Sequence, residues 1–83
     1  MQIKNILVVC IGNICRSPMA KYWIELQHPT LKVDSAGLSA MVGHPADDKA
    51  ITCMDTVGID IREHHAKQIT ADLIKQSDLI LVM

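Results

Sequence analysis

The chain alternates short, wholly apolar runs with segments in which apolar residues recur every three or four positions. Ile3-Lys4-Asn5-Ile6-Leu7-Val8-Val9 becomes continuously apolar and β-branched toward its end, the pattern of a parallel strand buried on both faces. It predicts a central strand. Ser17-Pro18 then reads as an N-cap followed by proline at the first helical position, and Met19, Tyr22, Trp23 and Leu26 form an apolar stripe that His28-Pro29 stops. Leu31-Lys32-Val33-Asp34-Ser35 alternates as a short second strand, and Ala36-Gly37 opens an irregular stretch through Gly43-His44-Pro45. Asp47 begins a second helix with Ala50, Ile51, Met54 and Val57 at helical spacing and Gly58 as its C′ residue. Thr70 caps a short third helix, and Ser77-Asp78 leads into Leu79-Ile80-Leu81-Val82-Met83, a further fully apolar strand.

Strand, helix, strand, helices, strand in that order predicts an α/β fold: a parallel three-layer sheet with helices on both faces and right-handed crossovers. Ligands of such sheets bind at the carboxyl ends of the strands. The 83 residues suffice for one small domain or part of one, and no repeat, linker or low-complexity stretch divides them.

With 49% apolar residues, 20% charged residues and a net charge of −1, the chain lacks the basic excess that draws a protein to nucleic acid or anionic membrane. Neither is expected as a partner. The apolar runs Ile6 to Ile11 and Leu79 to Met83 are too short to span a bilayer, and Met1-Gln2-Ile3-Lys4-Asn5 lacks a secretory signal's architecture, so a cytoplasmic protein is expected. Three cysteines at Cys10, Cys15 and Cys53 fit neither a disulfide framework nor zinc spacing. Reduced thiols follow, and Cys53, within a helical apolar pattern, reads as a small buried hydrophobe.

Cys10 reads differently. It ends the first strand, and Ile11-Gly12-Asn13-Ile14-Cys15 runs from it into the N-terminus of the first helix. A thiol there sits beside the positive end of a helix dipole, beneath a loop whose N–H groups can turn inward around a tetrahedral oxyanion. The same field favours a thiolate at neutral pH. Five residues between Cys10 and Arg16 are enough to wrap one phosphate while the guanidinium grips two of its oxygens. Gly12 and Asn13 tolerate the left-handed conformations a curled loop demands, and Ser17 can donate its hydroxyl to the thiolate. A thiolate below a bound phosphoryl group is placed for in-line attack that makes a cysteinyl-phosphate. The G-x-x-x-x-G-K-[ST] nucleotide loop is excluded, because its second glycine and lysine are missing.

V-C-I-G-N-I-C-R-S-P-M-A resembles, almost residue for residue, the signature of the low-molecular-weight protein tyrosine phosphatases. The resemblance continues through Asp34-Ser35-Ala36-Gly37-Leu38, Gly43-His44-Pro45-Ala46-Asp47, Ala66-Lys67-Gln68-Ile69 and Asp78 to Met83, so it covers essentially the whole chain. The wording D-S-A-G-L-S-A-M-V-G-H-P-A-D is most similar to the bacterial branch that acts on tyrosine autokinases governing capsule and exopolysaccharide export. The resemblance implies a flavodoxin-like topology, Cys10 as nucleophile and Arg16 as phosphate ligand and transition-state stabiliser, with the phosphate held by Ile11, Gly12, Asn13, Ile14, Cys15, Arg16 and Ser17. It further implies that Asn13, Ser17 and Ser35 brace the loop, that Cys15 can form a reversible disulfide with Cys10, and that no cofactor or metal takes part. The implied partners are a phosphotyrosine protein, a tyrosine autokinase among the candidates, and inorganic phosphate or another oxyanion.

The chain departs from that family pattern in two ways. Met41 stands where many relatives carry an aromatic pocket wall, and methionine stacks less well on a phenol ring. The general acid that the resemblance implies belongs to an Asp-Pro loop, and no Asp-Pro dipeptide occurs here. Residues 1–83 are therefore expected to be the N-terminal portion of a single phosphatase domain lacking its last strand and helix, with an open apolar sheet edge prone to self-association. Asp47 and Asp48 are the nearest alternative proton donors. The sequence is also compatible with two other readings: an arsenate reductase of the same fold, which would need more redox cysteines than Cys53, and a non-catalytic module that binds oxyanion or phosphotyrosine. His44, His64 and His65 read as solvated rather than metal-ligating, Arg62, Glu63 and Lys67 as a solvated face, and Tyr22 and Trp23 as core.

Overall fold

The computed structural model describes residues 2–83. The elements run β1 Asn5–Cys10, α1 Arg16–Gln27, β2 Lys32–Gly37, α2 Asp48–Asp55, α3 Ala71–Gln76 and β3 Leu79–Val82. The three strands form one parallel sheet in the order β2-β1-β3, so the most continuously apolar strand is central as its pattern predicts. Asn5 pairs with Lys32 and Cys10 with Gly37 on one side, while Ile6 pairs with Leu79 and Val9 with Val82 on the other. Both neighbours therefore fix the level at which Cys10 leaves the sheet.

Side chains of β1 alternate between two apolar layers. Ile6, Val8 and Val33 pack with Ala20 and Ile24 of α1, whereas Leu7, Val9 and Ala36 face Ile69 and Leu73 on the opposite side. Leu7, Val8 and Val9 are essentially without solvent exposure, and burial of such side chains stabilises by about 1.5–3 kcal/mol each. A third cluster, Ala46, Ala50, Met54, Ile59 and Ile61, joins α2 to Met19 and Tyr22 of α1.

Several local expectations are corrected. Helix α1 starts earlier than the Ser-Pro signal suggests: Cys15 is its N-cap and Ser17 lies within the first turn, with its hydroxyl committed elsewhere. Pro18 is still tolerated because first-turn N–H groups have no intrahelical acceptor. The inward face of α1 is Met19, Ala20, Tyr22 and Ile24, leaving Trp23 and Leu26 exposed. Cys53 and Val57 are exposed as well, since α2 buries only Ala50 and Met54 fully. Gly58 does adopt a left-handed φ of 76°, two residues beyond the C-cap Thr56. Asp47 and Thr70 cap α2 and α3 as expected, accepting from the N–H groups of Lys49 and Leu73. Strand β3 is paired on one side only and leaves Leu79, Ile80 and Val82 exposed, whereas its apolar pattern predicts burial on both faces. Among the described residues no helix is long and apolar enough to cross a membrane.

Candidate active site

Cys10 is the last residue of β1, and the loop from Ile11 to Cys15 curls above it into Arg16, the first residue of α1. Every carbonyl from Cys10 to Cys15 is taken by a donor outside the loop. Leu38, Ser39 and Met41 donate their N–H groups to Cys10, Ile11 and Gly12 at 2.9, 2.9 and 3.1 Å; Asp47 N–H reaches Ile14 at 2.7 Å and Met19 N–H reaches Cys15 at 3.3 Å. The carbonyl of Asn13 accepts from His64 Nε2 at 2.6 Å. Because a trans peptide sets each N–H opposite the preceding C=O, carbonyls drawn outward leave the N–H groups turned into the loop. The curl costs a left-handed φ of 58° at Asn13, a conformation asparagine tolerates better than most residues.

The side chain of Asn13 braces that turn from within. Its Nδ2 donates to Ser17 Oγ at 2.8 Å and to Ser35 Oγ at 3.0 Å, while Oδ1 accepts from the backbone N–H of Lys67 at 2.9 Å. Lys67 N–H can only donate, which fixes the orientation of the amide. Ser17 Oγ therefore accepts from Asn13, and its own proton is free for Cys10 Sγ, 2.9 Å away. Asn13, Ser17 and Ser35 are all buried, so these bonds have no competing water.

Burial pushes the Cys10 thiol up. The Ser17 hydroxyl and the backbone N–H groups of Ser17, Asn13 and Cys15 outweigh it, and the thiol lies below its ordinary value. Above it opens a cleft of about 290 Å³ lined by Cys10, Ile11, Gly12, Ile14, Cys15, Arg16 and Met83. Arg16 is exposed there and, among the described residues, its guanidinium makes no hydrogen bond or ion pair. Met41 stands at the rim, attached to Gly12 through its backbone. A larger cleft of about 630 Å³, along Asn5, Leu31, Lys32 and Gln76, contains no cysteine. Among the described residues no three His, Cys, Asp or Glu side chains converge as a metal site would require.

The sequence profile described as low molecular weight phosphotyrosine protein phosphatase matches residues 5–83. The chain belongs to this phosphatase family. A low molecular weight protein-tyrosine-phosphatase Ptp from Acinetobacter johnsonii is 60% identical over 83 residues, covering 100% of this chain and 58% of its own length. The crystal structure of the Erwinia amylovora tyrosine phosphatase AmsI superimposes with a TM-score of 0.96 at 49% identity, covering 99% of this chain and 54% of that one. Vibrio vulnificus Wzb in complex with benzylphosphonate does so with a TM-score of 0.95 at 41% identity, covering 99% of this chain and 59% of that one. The chain thus spans a little over half the length of these members of the phosphatase family.

The loop of this family member also leans on residues that the sequence pattern hides. His64 is buried rather than solvated, whereas His44 and its neighbour His65 are exposed. Burial holds His64 below the ordinary imidazole value; the bond to the Asn13 carbonyl opposes this, and Lys21, His65 and Lys67 add to it. Lys67 contributes its backbone to Asn13 and pairs its ammonium with Asp34. A doubled histidine in a polar segment offers no signal that would tell the inward ring from the outward one.

Proposed function

We propose that the loop from Cys10 to Ser17 is the nucleophilic and phosphate-binding part of a phosphotyrosine protein phosphatase. The observation that carries this reading is the outward tethering of all six carbonyls from Cys10 to Cys15, which surrounds a lowered-pKa thiol with inward N–H donors. The N–H groups and the Arg16 guanidinium hold the phosphate oxygens, and the Cys10 thiolate attacks phosphorus opposite the phenolic oxygen. An S–P bond forms, the P–O bond to tyrosine breaks, and the phenolate leaves with its electron pair and takes a proton. Water then attacks the cysteinyl-phosphate, releasing inorganic phosphate and regenerating the thiolate, which Ser17 stabilises by its hydrogen bond.

Asp47 does not suit the role of acid in the first step, because its carboxylate caps α2 by accepting from Lys49 N–H at 3.1 Å. We assign that proton to a carboxylate outside these residues, in keeping with the family resemblance and with relatives whose length extends beyond the matched portion. The likeness of the Asp34 to Asp47 segment supports a tyrosine autokinase of capsule or exopolysaccharide export as the substrate class, and a cytoplasmic location for this chain.

The test is trapping of the intermediate. Acid quench of the chain with p-nitrophenyl phosphate, whose leaving group needs little protonation, should give one phosphoryl group on Cys10 by mass spectrometry and none in Cys10→Ser. Arg16→Lys should weaken vanadate, because an ammonium cannot reproduce the guanidinium fork. Vanadate binding with no adduct at any time would leave a non-catalytic oxyanion module instead.

A further inference from the structure

After Gly37 the chain does not leave the sheet but turns along the rim of the loop. The N–H groups of Leu38, Ser39 and Met41 all bond to loop carbonyls that point outward, so this short segment backs the loop from outside, with the Met41 side chain beside Gly12 of the cleft. Gln68 holds the segment from behind. Its Oε1 accepts from Ala40 N–H at 2.9 Å and its Nε2 donates to the Leu38 carbonyl at 2.8 Å. A backbone N–H can only donate and a carbonyl only accept, so both ends of the amide are assigned. The backbone of Gln68 is itself anchored by a parallel bridge to Gly37, flanked by Gly37 N–H to Lys67 and Ile69 N–H to Gly37, both at 2.9 Å. One side chain thus spans two backbone groups of the turn that presents Met41.

The apolar side chains at this rim, Ile11, Leu38 and Met41, are 70%, 55% and 45% exposed although their backbones are tied down. Their placement depends on the main chain that carries them, not on packing. We propose that Gln68 is a positioning residue for aryl recognition: by clamping Leu38 and Ala40 it holds Met41 beside the ring of a bound aryl phosphate. This rests on the phosphotyrosine reading above and extends it to a residue remote from the oxyanion. The phosphate itself would be little affected, because the carbonyls of Asn13, Ile14 and Cys15 are tethered by His64, Asp47 and Met19, and the three bonds from Leu38, Ser39 and Met41 do not involve the Gln68 amide.

The experiment compares Kd values for benzylphosphonate and inorganic phosphate on the same 83-residue chain, by calorimetry, so that turnover is not required. Two exposed hydrogen bonds at the weak end of the usual range predict that Gln68→Met loses roughly 3–10-fold in benzylphosphonate affinity while phosphate stays within about twofold. Gln68→Glu keeps an acceptor for Ala40 but lacks the donor for Leu38, and should lie between Gln68→Met and the parent. A parallel loss of both ligands would overturn the proposal by making Gln68 a general support of the loop, and unchanged affinity for both would overturn it outright. Equal affinity of the parent for the two ligands would remove aryl recognition and the positioning role together. Aryl preference that depends on Gln68 in a chain forming no cysteinyl-phosphate would sink only the catalytic reading.

Discussion

His64 Nε2 lies 2.6 Å from the carbonyl oxygen of Asn13, joining a segment 51 residues downstream to the left-handed residue of the oxyanion loop. The carbonyl can only accept, so the ring carries its proton on Nε2 whether it is neutral or charged. A second proton at Nδ1 would be buried and would face Lys21, His65 and Lys67. The loop is thus held by a histidine whose charged form the fold resists.

The pH dependence follows from that. The folded protein binds the second proton less readily than the unfolded chain, whose histidines titrate near 6.5. Between that value and the lowered folded one the unfolded state holds more protons, so stability should fall as pH drops through the window and be fully retained above it. His64→Gln, which can donate without titrating, should flatten this acid slope in urea melts. His64→Ala should cost about 1–3 kcal/mol at neutral pH, because it orphans a buried carbonyl. An acid slope identical in the parent and His64→Gln would show that other groups cause it.

The Ser17 hydroxyl is expected to control the reactivity of Cys10. Removing it in Ser17→Ala takes away the side-chain donor to Sγ while the backbone donors remain, so the thiol should rise toward its ordinary value. Iodoacetate alkylation of Cys10 should then slow severalfold at neutral pH and recover at alkaline pH, where both thiols ionise. A rate profile unchanged by Ser17→Ala would mean that the backbone N–H groups alone hold the thiolate.

Gly37 is required by space rather than by φ. A Cβ built there would lie 2.6 Å from the Ile11 carbonyl oxygen and 2.9 Å from Ala40 Cβ, at the level where Gly37 pairs with Cys10. Gly37→Ala should therefore push the rim away from the loop, destabilise by about 1–3 kcal/mol and weaken vanadate binding together. Thermal melts and a vanadate titration check this. Full affinity in a destabilised variant would separate the sheet end from the site.

The fold and the centre of the site could be read in the sequence because both are local. Continuous β-branched runs specify buried strands wherever they occur, and C-x5-R-S-P places nucleophile, loop and helix start within nine residues. Contacts made at long range could not be read that way. Ser17 resembles an N-cap by type, yet Cys10 and Asn13 take its hydroxyl and the helix begins before it. His64, Lys67 and Gln68 act through one ring nitrogen, one backbone N–H and one exposed amide, and none of these leaves a periodic or spacing signal. Trp23 and Cys53 are exposed despite their apolar stripes, because such a stripe identifies a helix more reliably than it identifies the side that packs.

Strand β3 carries the last prediction. Its partner on one side is β1, and on the other its backbone has no strand neighbour among the described residues, while Leu79, Ile80 and Val82 are 36%, 37% and 70% exposed. The opposite edge of the sheet is better protected: β2 bears Lys32 and Asp34, and its end is covered by the bridge from Gly37 to Gln68. An apolar, uncovered edge is a template for pairing with another chain. The 83-residue chain should therefore self-associate through β3, seen as a sedimentation coefficient that rises with concentration. Val82→Lys should suppress the rise, since a charge on an edge strand opposes pairing and the position buries too little to disturb the fold. Lys at Trp23, also exposed but on α1, serves as the control and should leave association intact. A folded monomer at every concentration would refute the edge as an interface. Equal suppression by Trp23→Lys and Val82→Lys would move the contact, or the effect of charge, away from β3.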